Sequence, residues 1–357
     1  MIAALLAFLG FATLIILHEL GHFAAAKAVG MRVERFSLFF PPLVGRVRRG
    51  ETEYAIGAIP LGGYVKITGM NPAEEIPPEV AHRAYFRQPV WKRIVVIGAG
   101  PLVNILLAFV ILWVLFWANG VYDPTPKIDQ VTSAPARGQL APGDRIVSVD
   151  GVRGDFETLR RQINTHVCRG EQVNGCEATT PATVVVSLRG QERTVRLRPV
   201  YSSTEERMLL GFSPVTVPRG VGPIEAADLS VSDMWSITSR TVETIAGIFN
   251  PETRKEISGV VGSYEVTRQT IEFDLVRAVF LLAVISLSLG VINLFPFLPL
   301  DGGHIFWAVA EKVRGRAIPF SVMERAGFVG FVLVIGLFMI GFTNDIGRLT
   351  GEGFGVR

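Results

Sequence analysis

The sequence predicts a polytopic α-helical membrane protein with a polar, β-rich insertion. Of its 357 residues, 49% are hydrophobic and only 19% are charged, whereas soluble globular proteins average about 25% charged residues. Four apolar stretches approach the roughly 20 residues that a helix needs to cross a hydrocarbon core. Two cysteines are too few for a disulfide-built scaffold, and a net charge of +3 does not indicate nucleic-acid binding.

The four predicted transmembrane segments are, in chain order, residues 1–29, 94–118, 278–300 and 326–343. The first lacks the positively charged start of a signal peptide, and its apolar run exceeds the usual length of about 7–15 residues. A spanning helix is therefore favoured over a cleaved signal. The second ends in an interfacial aromatic cluster of Trp113, Phe116 and Trp117. The fourth is the shortest.

Positive charges set the predicted orientation. Lysine and arginine are frequent in residues 30–93 and again between the third and fourth segments, and loops with this bias face the cytoplasm. The loop 30–93 is therefore predicted to be cytoplasmic. Residues 119–277 and both termini, including a C-terminal tail over 344–357, are predicted to be extracytoplasmic.

The long insertion has two predicted parts. Residues 124–200 alternate in polarity around turns at Asp150-Gly151 and Arg189-Gly190, which is typical of a small β-rich domain, and Asp155 is predicted to cap a short helix. Cys168 and Cys176 either form a disulfide, as an exported segment allows, or remain two unpaired thiols.

Residues 220–275 predict an amphipathic helical segment. Its apolar positions recur at helical spacing, at Trp235, Thr238, Val242, Ile245 and Phe249. The helix either packs on the inserted domain or lies on the membrane surface.

Ionisable residues inside a membrane helix are expensive, so each suggests a function. In His18-Glu19-Leu20-Gly21-His22 the two histidines share one helix face about 6 Å apart. Two imidazoles on one face form half of a tetrahedral zinc site, and Glu19 is placed to take a proton from water. The alternative is a set of polar residues hydrogen-bonded between packed helices.

A catalytic zinc ion needs a third protein ligand. Glu34 is the next carboxylate along the chain, but its loop is predicted to be wet. Asp301 is the better candidate, because two prolines and two glycines in residues 293–303 must break the third helix there. Irregular backbone at membrane depth is tolerated where it is buried or lines a cavity. The alternative is an ordinary carboxylate at a helix end.

These residues resemble a known family. The pentapeptide from His18 to His22, together with Asn293-x-x-Pro296-x4-Asp301-Gly302, resembles the site-2 protease family of intramembrane zinc metalloproteases, in particular its bacterial RseP-type members. Further resemblances cover that group's membrane-associated β-loop, the start of its second core helix and its PDZ domain, at residues 59–66, 98–104 and 140–151 respectively.

The resemblance implies one zinc ion per chain, bound by His18, His22 and Asp301, with Glu19 activating the attacking water. It also implies that Asn293 holds the substrate backbone. A strand edge near Gly62 and Gly63 would pair with the unwound substrate, although a plain turn explains two glycines equally well. His304 would either orient a ligand from outside the metal site or merely begin a helix.

The chain departs from the family in three places. Leu38-Phe39-Phe40-Pro41 stands where the family has a glycine-rich Gly-Phe-Gly-Pro-like motif, and Val260 replaces a proline within residues 257–262. Residues 124–200 have room for one PDZ domain rather than two, and the usual carboxylate-binding loop is absent. The domain is therefore expected to filter substrates by size rather than bind a free C-terminus.

The implied activity is hydrolysis of a peptide bond within a transmembrane segment, in the bacterial inner membrane. The substrate would be a membrane protein such as an anti-sigma factor or a remnant signal peptide, already cut by another protease. Two other functions are considered: a non-proteolytic membrane protein that binds or transports zinc, and a PDZ scaffold. A transport protein predicts polar residues along several spans, yet the segments 94–118 and 326–343 contain essentially none. A scaffold has no use for Glu19 as a base.

Overall fold

The computed structural model describes residues 2–71, 74–203, 205–248, 250, 253–254, 257–316, 318–351 and 353–354. The chain divides into two compact units. The first consists of Met1–Ala118 and Gly222–Arg357, and the second of Asn119–Val221. The second unit is wider than the 124–200 domain that the sequence predicts, because its first and last strands pair with each other.

Four helices among the described residues are long and apolar enough to span a membrane, which confirms a multi-pass membrane protein. They are α1 (Ile2–Ala28), α2 (Val90–Asn119), α6 (Leu275–Asn293) and α8 (Phe320–Thr350). Three further helices of this unit lie among the described residues: α4 (Pro223–Ala246), α5 (Val260–Phe273) and α7 (Asp301–Arg314).

Two spans differ from their predicted bounds. The helix that contains the fourth segment is longer than the apolar segment itself: α8 has 31 residues. Charged residues end its apolar run at Arg325 and Asp345, but helical hydrogen bonding continues past them. The third segment ends at Asn293 rather than at residue 300, because Pro296 and Pro299 lack the amide hydrogen that a helix needs. Residues 294–300 form the irregular stretch predicted there.

A bent β-hairpin follows α1. Its strands are β1 (Val33–Arg49) and β2 (Thr52–Ile67). Residues 35–38 pair with 63–66 on one side and with 53–56 on the other, whereas 63–67 have ladder partners on one side only among the described residues. The end of β2 is therefore an open sheet edge.

The unusual sequence Leu38-Phe39-Phe40-Pro41 lies at the bend of β1. Phe39 adopts a left-handed backbone with φ of 69°, which costs about 1–2 kcal/mol for a residue with a Cβ. Its ring packs on Phe8 of α1, with 6.0 Å between centroids. The Phe40 ring stacks on Tyr64, also at 6.0 Å. Aromatic contacts of Phe39 and Phe40 therefore hold the backbone at a bend where glycine would be free to adopt the same conformation.

Apolar residues from separate elements join the hairpin to the membrane helices. A buried cluster joins the end of α1, the base of the hairpin and the start of α2; it contains Ala26, Met31, Val33, Ile67, Tyr85, Val96 and Ile97. Tyr85 belongs to the second of two short 3-10 turns, Pro78–Arg83 and Tyr85–Arg87. This cluster fixes the hairpin against the helices that carry the site.

The second unit is built on a five-stranded sheet in the order β6-β5-β4-β3-β9. Its elements are β3 (Val121–Val131), β4 (Arg145–Val149), α3 (Phe156–Ile163), β5 (Ala182–Leu188), β6 (Gln191–Leu197), β7 (Val200–Ser202), β8 (Arg207–Leu209) and β9 (Phe212–Arg219). Asp155 caps α3 as predicted, since its side chain accepts a hydrogen bond from the Thr158 amide. Cys168 and Cys176 form a disulfide, with 6.0 Å between their Cα atoms.

The helical segment after the second unit forms α4 and α5. Trp235, Thr238, Val242 and Ile245 lie on α4, and Phe249 lies outside the described residues. α4 packs on α6, and the Trp113 indole donates a hydrogen bond to the Pro223 carbonyl at 2.9 Å. Contact with membrane-spanning helices of its own unit is an arrangement that neither sequence-based alternative described.

Candidate active site

Three potential metal ligands from two helices meet in the first unit. His18 and His22 lie one turn apart on α1, with their Nε2 atoms 3.3 Å apart. Asp301 Oδ2 lies 3.2 Å from the first and 3.3 Å from the second. Two ligands at about 2.0–2.1 Å from a tetrahedral zinc ion are about 3.3 Å apart. The triangle therefore has the size that tetrahedral zinc requires.

The hydrogen-bonding state of these atoms also fits a metal. Both histidines are 7% exposed. The buried Asp301 Oδ2 has no hydrogen-bond partner among the described residues. A buried carboxylate oxygen without a donor is costly unless a cation neutralises it. The donor set, two imidazoles and one carboxylate, is one that catalytic zinc sites use.

A backbone carbonyl sets the tautomer of His22. Its Nδ1 lies 2.9 Å from the Val96 oxygen on α2, and a carbonyl can only accept. Nδ1 therefore carries the hydrogen. The lone pair of Nε2 points toward the other two potential ligand atoms, His18 Nε2 and Asp301 Oδ2. Such a second contact is the usual way in which a metal-binding histidine is oriented.

Glycine allows α1 and α2 to approach closely here. A Cβ on Gly21 would lie 2.6 Å from the Ala99 carbonyl oxygen, and one on Gly100 would overlap the His22 ring. Val96 and Gly100 are four residues apart, so they share the face of α2 that meets the histidines. No larger side chain leaves His22 room at that position.

Asp301 is the first residue of α7, and the irregular stretch 294–300 delivers it. Gly302 and Gly303 follow it, and a Cβ on either would overlap the backbone of 294–298. The stretch folds so tightly onto the start of α7 that only glycine fits. The two glycines thus place the carboxylate beside α1.

The open edge of the hairpin passes beside Glu19. A Cβ on Gly63 would lie 2.8 Å from Glu19 Cγ. One on Gly62 would lie 2.9 Å from the Phe40 ring. The two glycines lie in the strand β2, so the alternative of a plain turn is wrong.

The sequence also singles out Asn293, His304 and Glu34, which lie outside this cluster of three ligand atoms. Asn293 is the last residue of α6. His304 lies in the first turn of α7, and none of the described hydrogen bonds joins its ring to the three donors. Glu34 accepts a hydrogen bond from Thr68 and pairs with Lys66 at 2.7 Å in the hairpin, so it is engaged elsewhere.

Sequence reasoning missed an ion pair that joins α2 to α7. Arg93 of α2 and Glu311 of α7 form a salt bridge with an N–O distance of 2.8 Å. They are 218 residues apart, so no local pattern could link them. The only signal in the sequence is the positive charge of Arg93 directly before the apolar segment 94–118. That charge contributes to the predicted orientation in the membrane.

Residues 6–337 match the model of Peptidase family M50. The chain belongs to this family. Three curated relatives bear the name "Putative zinc metalloprotease". The first, from Rhizobium meliloti, is 30% identical, and the alignment covers 95% of this chain and 94% of the relative. The second, from Agrobacterium fabrum, is 29% identical over 95% and 94%. The third, from Nostoc sp., is 30% identical over 96% and 95%.

M50 membership confirms the family resemblance of the sequence motifs. The chain is a metalloendopeptidase of the site-2 type, and the names of its relatives describe those proteins as zinc metalloproteases. The alignments extend over nearly the whole of each chain, so the resemblance covers the hairpin and the second unit as well as the helices.

Proposed function

We propose that this M50 peptidase hydrolyses a peptide bond within a transmembrane segment of its substrate, with one zinc ion held by His18, His22 and Asp301. The observation that carries the proposal is the triangle of buried donor atoms, 3.2–3.3 Å apart, with Glu19 next to His18 on α1. When bound, zinc would polarise the scissile carbonyl and lower the pKa of the attacking water.

Glu19 is the proposed general base. It is adjacent in sequence to His18, and its side chain faces the edge strand at Gly63. A carboxylate in this position takes a proton from the attacking water and then delivers it to the departing amine, so one residue serves both steps. His22 remains neutral and fixed through its Nδ1–H donation to Val96.

The open edge of β2 is the proposed binding site for the substrate backbone. A helical substrate hides its carbonyls in internal hydrogen bonds, so it must become extended before water can attack. An unpaired strand edge replaces those lost hydrogen bonds. The edge at residues 63–67 begins beside Glu19 and directly follows Gly62, which supports this role for Gly62 and Gly63. Asn293, at the end of α6, is proposed to hold the substrate backbone on the other side.

The proposed setting is the bacterial inner membrane. Hairpin residues such as Arg46, Arg48 and Arg49 give the loop 30–93 its positive charge, which favours a cytoplasmic position. The second unit, proposed as an extracytoplasmic PDZ-like domain, would exclude substrates that retain a bulky external domain. Anti-sigma factors and remnant signal peptides, once cut outside the membrane, are substrates of this kind.

Replacement of Glu19 by glutamine tests the proposal. Purified Glu19→Gln protein should bind one zinc ion per chain, as the unmodified protein does, but should not cleave a membrane-embedded model substrate. Glu272→Gln is the control, because it removes an exposed carboxylate on α5 that bonds Arg268. Cleavage by the Glu19→Gln variant would show that Glu19 is not the general base. Zinc binding that survives both His22→Ala and Asp301→Asn would exclude the metal site.

A further inference from the structure

Arg93 and Glu311 form a salt bridge between α2, which orients His22, and α7, which begins with Asp301. Arg93, in the first turn of α2, is 3% exposed. Its Nη1 and Nη2 atoms donate to the two carboxylate oxygens of Glu311 at 3.0 and 2.8 Å. This two-pronged geometry fixes direction as well as distance.

The two residues are each other's only ionic partner among the described residues. The guanidinium group also lies 5.8 Å from the centre of the Phe86 ring. Its Nε hydrogen is buried and has no hydrogen-bond partner in the part of the chain that the structure describes. An arginine side chain stays charged in a protein, so the buried charge depends on Glu311. Movement of α7 along α2 would break the pair.

The first three turns of α2 make two further contacts, one with His22 and one with α7. Val96, three residues after Arg93, accepts the hydrogen bond that orients His22. Ile305 of α7 packs on the buried cluster that contains Val96 and Ile97. One short stretch of α2 therefore holds both His22 and the helix that begins with Asp301.

α7 transmits the position of Glu311 to Asp301. The two residues are ten positions apart on one helix, which corresponds to about 15 Å. Stretch 294–300 supports the beginning of α7, and the Arg93 pair supports its last turn. Two fixed points on a rigid helix determine both its position along α2 and its rotation.

We propose that Arg93 and Glu311 are positioning residues, which hold α7 in register with α2 and thereby keep the Asp301 carboxylate at ligand distance from His18 and His22. The inference rests on the proposed zinc site. It assigns to residues outside the ligand set a share in metal affinity, through the placement of one ligand.

Metal affinity of full-length variants in detergent tests the proposal. Glu311→Gln should weaken zinc binding at least severalfold, when measured by competition with a chelator, because α7 loses the pair that holds its last turn. The visible spectrum of the cobalt(II)-substituted variant should lose tetrahedral intensity. The double variant Arg93→Gln/Glu311→Gln should bind zinc at least as tightly as whichever single variant, Arg93→Gln or Glu311→Gln, binds it less tightly.

The matched control is Glu265→Gln. Glu265 accepts two hydrogen bonds from Arg268 of α5, at 2.9 and 2.6 Å, and is a comparable pair away from the ligands. The Glu265→Gln variant should have the zinc affinity and the cobalt spectrum of the unmodified protein. Should Glu311→Gln fail to fold, Arg93→Lys and Glu311→Asp keep both charges but lose the two-pronged geometry, and zinc binding is measured on these.

The results separate the two proposals. If unmodified protein binds no zinc, or if His22→Ala binds it equally well, the proposed metal site is wrong. If unmodified protein binds zinc and the Glu311 variants bind it with the same affinity and spectrum, the site stands and the positioning role is overturned. A variant with a lower melting temperature but unchanged zinc affinity gives this second result.

Discussion

The Nδ1 atom of His22 lies 2.9 Å from the carbonyl oxygen of Val96, 74 residues further along the chain. This contact joins α1 to α2 at the level of the proposed zinc ligands. It works only because Gly100, one turn beyond Val96, has no side chain to displace the imidazole. The orientation of the ligand therefore depends on a backbone atom and on an absent Cβ.

Gly100→Ala should abolish or strongly weaken zinc binding. Its new Cβ would overlap the His22 ring, and a one-ångström displacement of a ligand is enough to disrupt a metal site. We expect at least a tenfold loss of zinc affinity, in the range seen when groups around metal ligands change. Gly98→Ala is the control, since its Cβ would lie at an ordinary 3.8 Å from Ile305. Equal zinc affinity in the two variants would contradict this explanation.

Gly63→Ala should reduce cleavage while zinc stays bound. The added Cβ would lie 2.8 Å from Glu19 Cγ and 2.9 Å from the Ser37 carbonyl oxygen, so either the base or the strand edge must move. We expect kcat for a model transmembrane substrate to fall by about tenfold or more, because catalysis depends on such placement. Gly45→Ala, in the same hairpin with open space around it, should cleave normally. A Gly63 variant with full activity would exclude close packing as a requirement.

The turn between β1 and β2 should lose stability in acid. Hydrogen bonds from Arg83 and Lys27 lower the pKa of Glu51 to about 2. A carboxylate whose pKa is lowered by folding stabilises the native state fully above its usual pKa of 4.5, and this contribution disappears as the pH falls toward 2.

Glu51→Gln measures that contribution. At pH 6 the variant should melt at a lower temperature than the unmodified protein, by a difference equivalent to about 1 kcal/mol for a partly exposed pair. The two melting temperatures should converge as the pH is lowered from 4.5 to 2.5. A constant difference across this range would show that the carboxylate charge is not responsible.

Reduction of the disulfide should destabilise the second unit. Cys168 and Cys176 close a short loop, and a cross-link of this length contributes about 2–3 kcal/mol in the chain-entropy description. Hydrogen exchange in β5 should accelerate in the Cys168→Ser/Cys176→Ser variant, whereas exchange in α2 should not change. Unaltered exchange in β5 would show that the unit is stable without the bridge.

Local sequence patterns were sufficient for the membrane spans and for half of the site. The His18-to-His22 spacing places two imidazoles on one face because a helix turns every 3.6 residues. The prolines of residues 293–303 ended α6 because proline cannot complete the helical hydrogen bonds. The fourth helix extends beyond its predicted apolar segment on both sides, since hydropathy reports the lipid-facing length and not the length of the helix.

The sequence by itself determined a membrane protein with two histidines and a glutamate on one helix and an aspartate after a broken one. Only the tertiary structure decided that Asp301 Oδ2 lies 3.2–3.3 Å from both histidines, that Val96 orients His22, and that Arg93 pairs with Glu311. These contacts join residues 74 to 283 positions apart. Periodicity fixes relations within one element, whereas the distance between elements depends on how their surfaces pack.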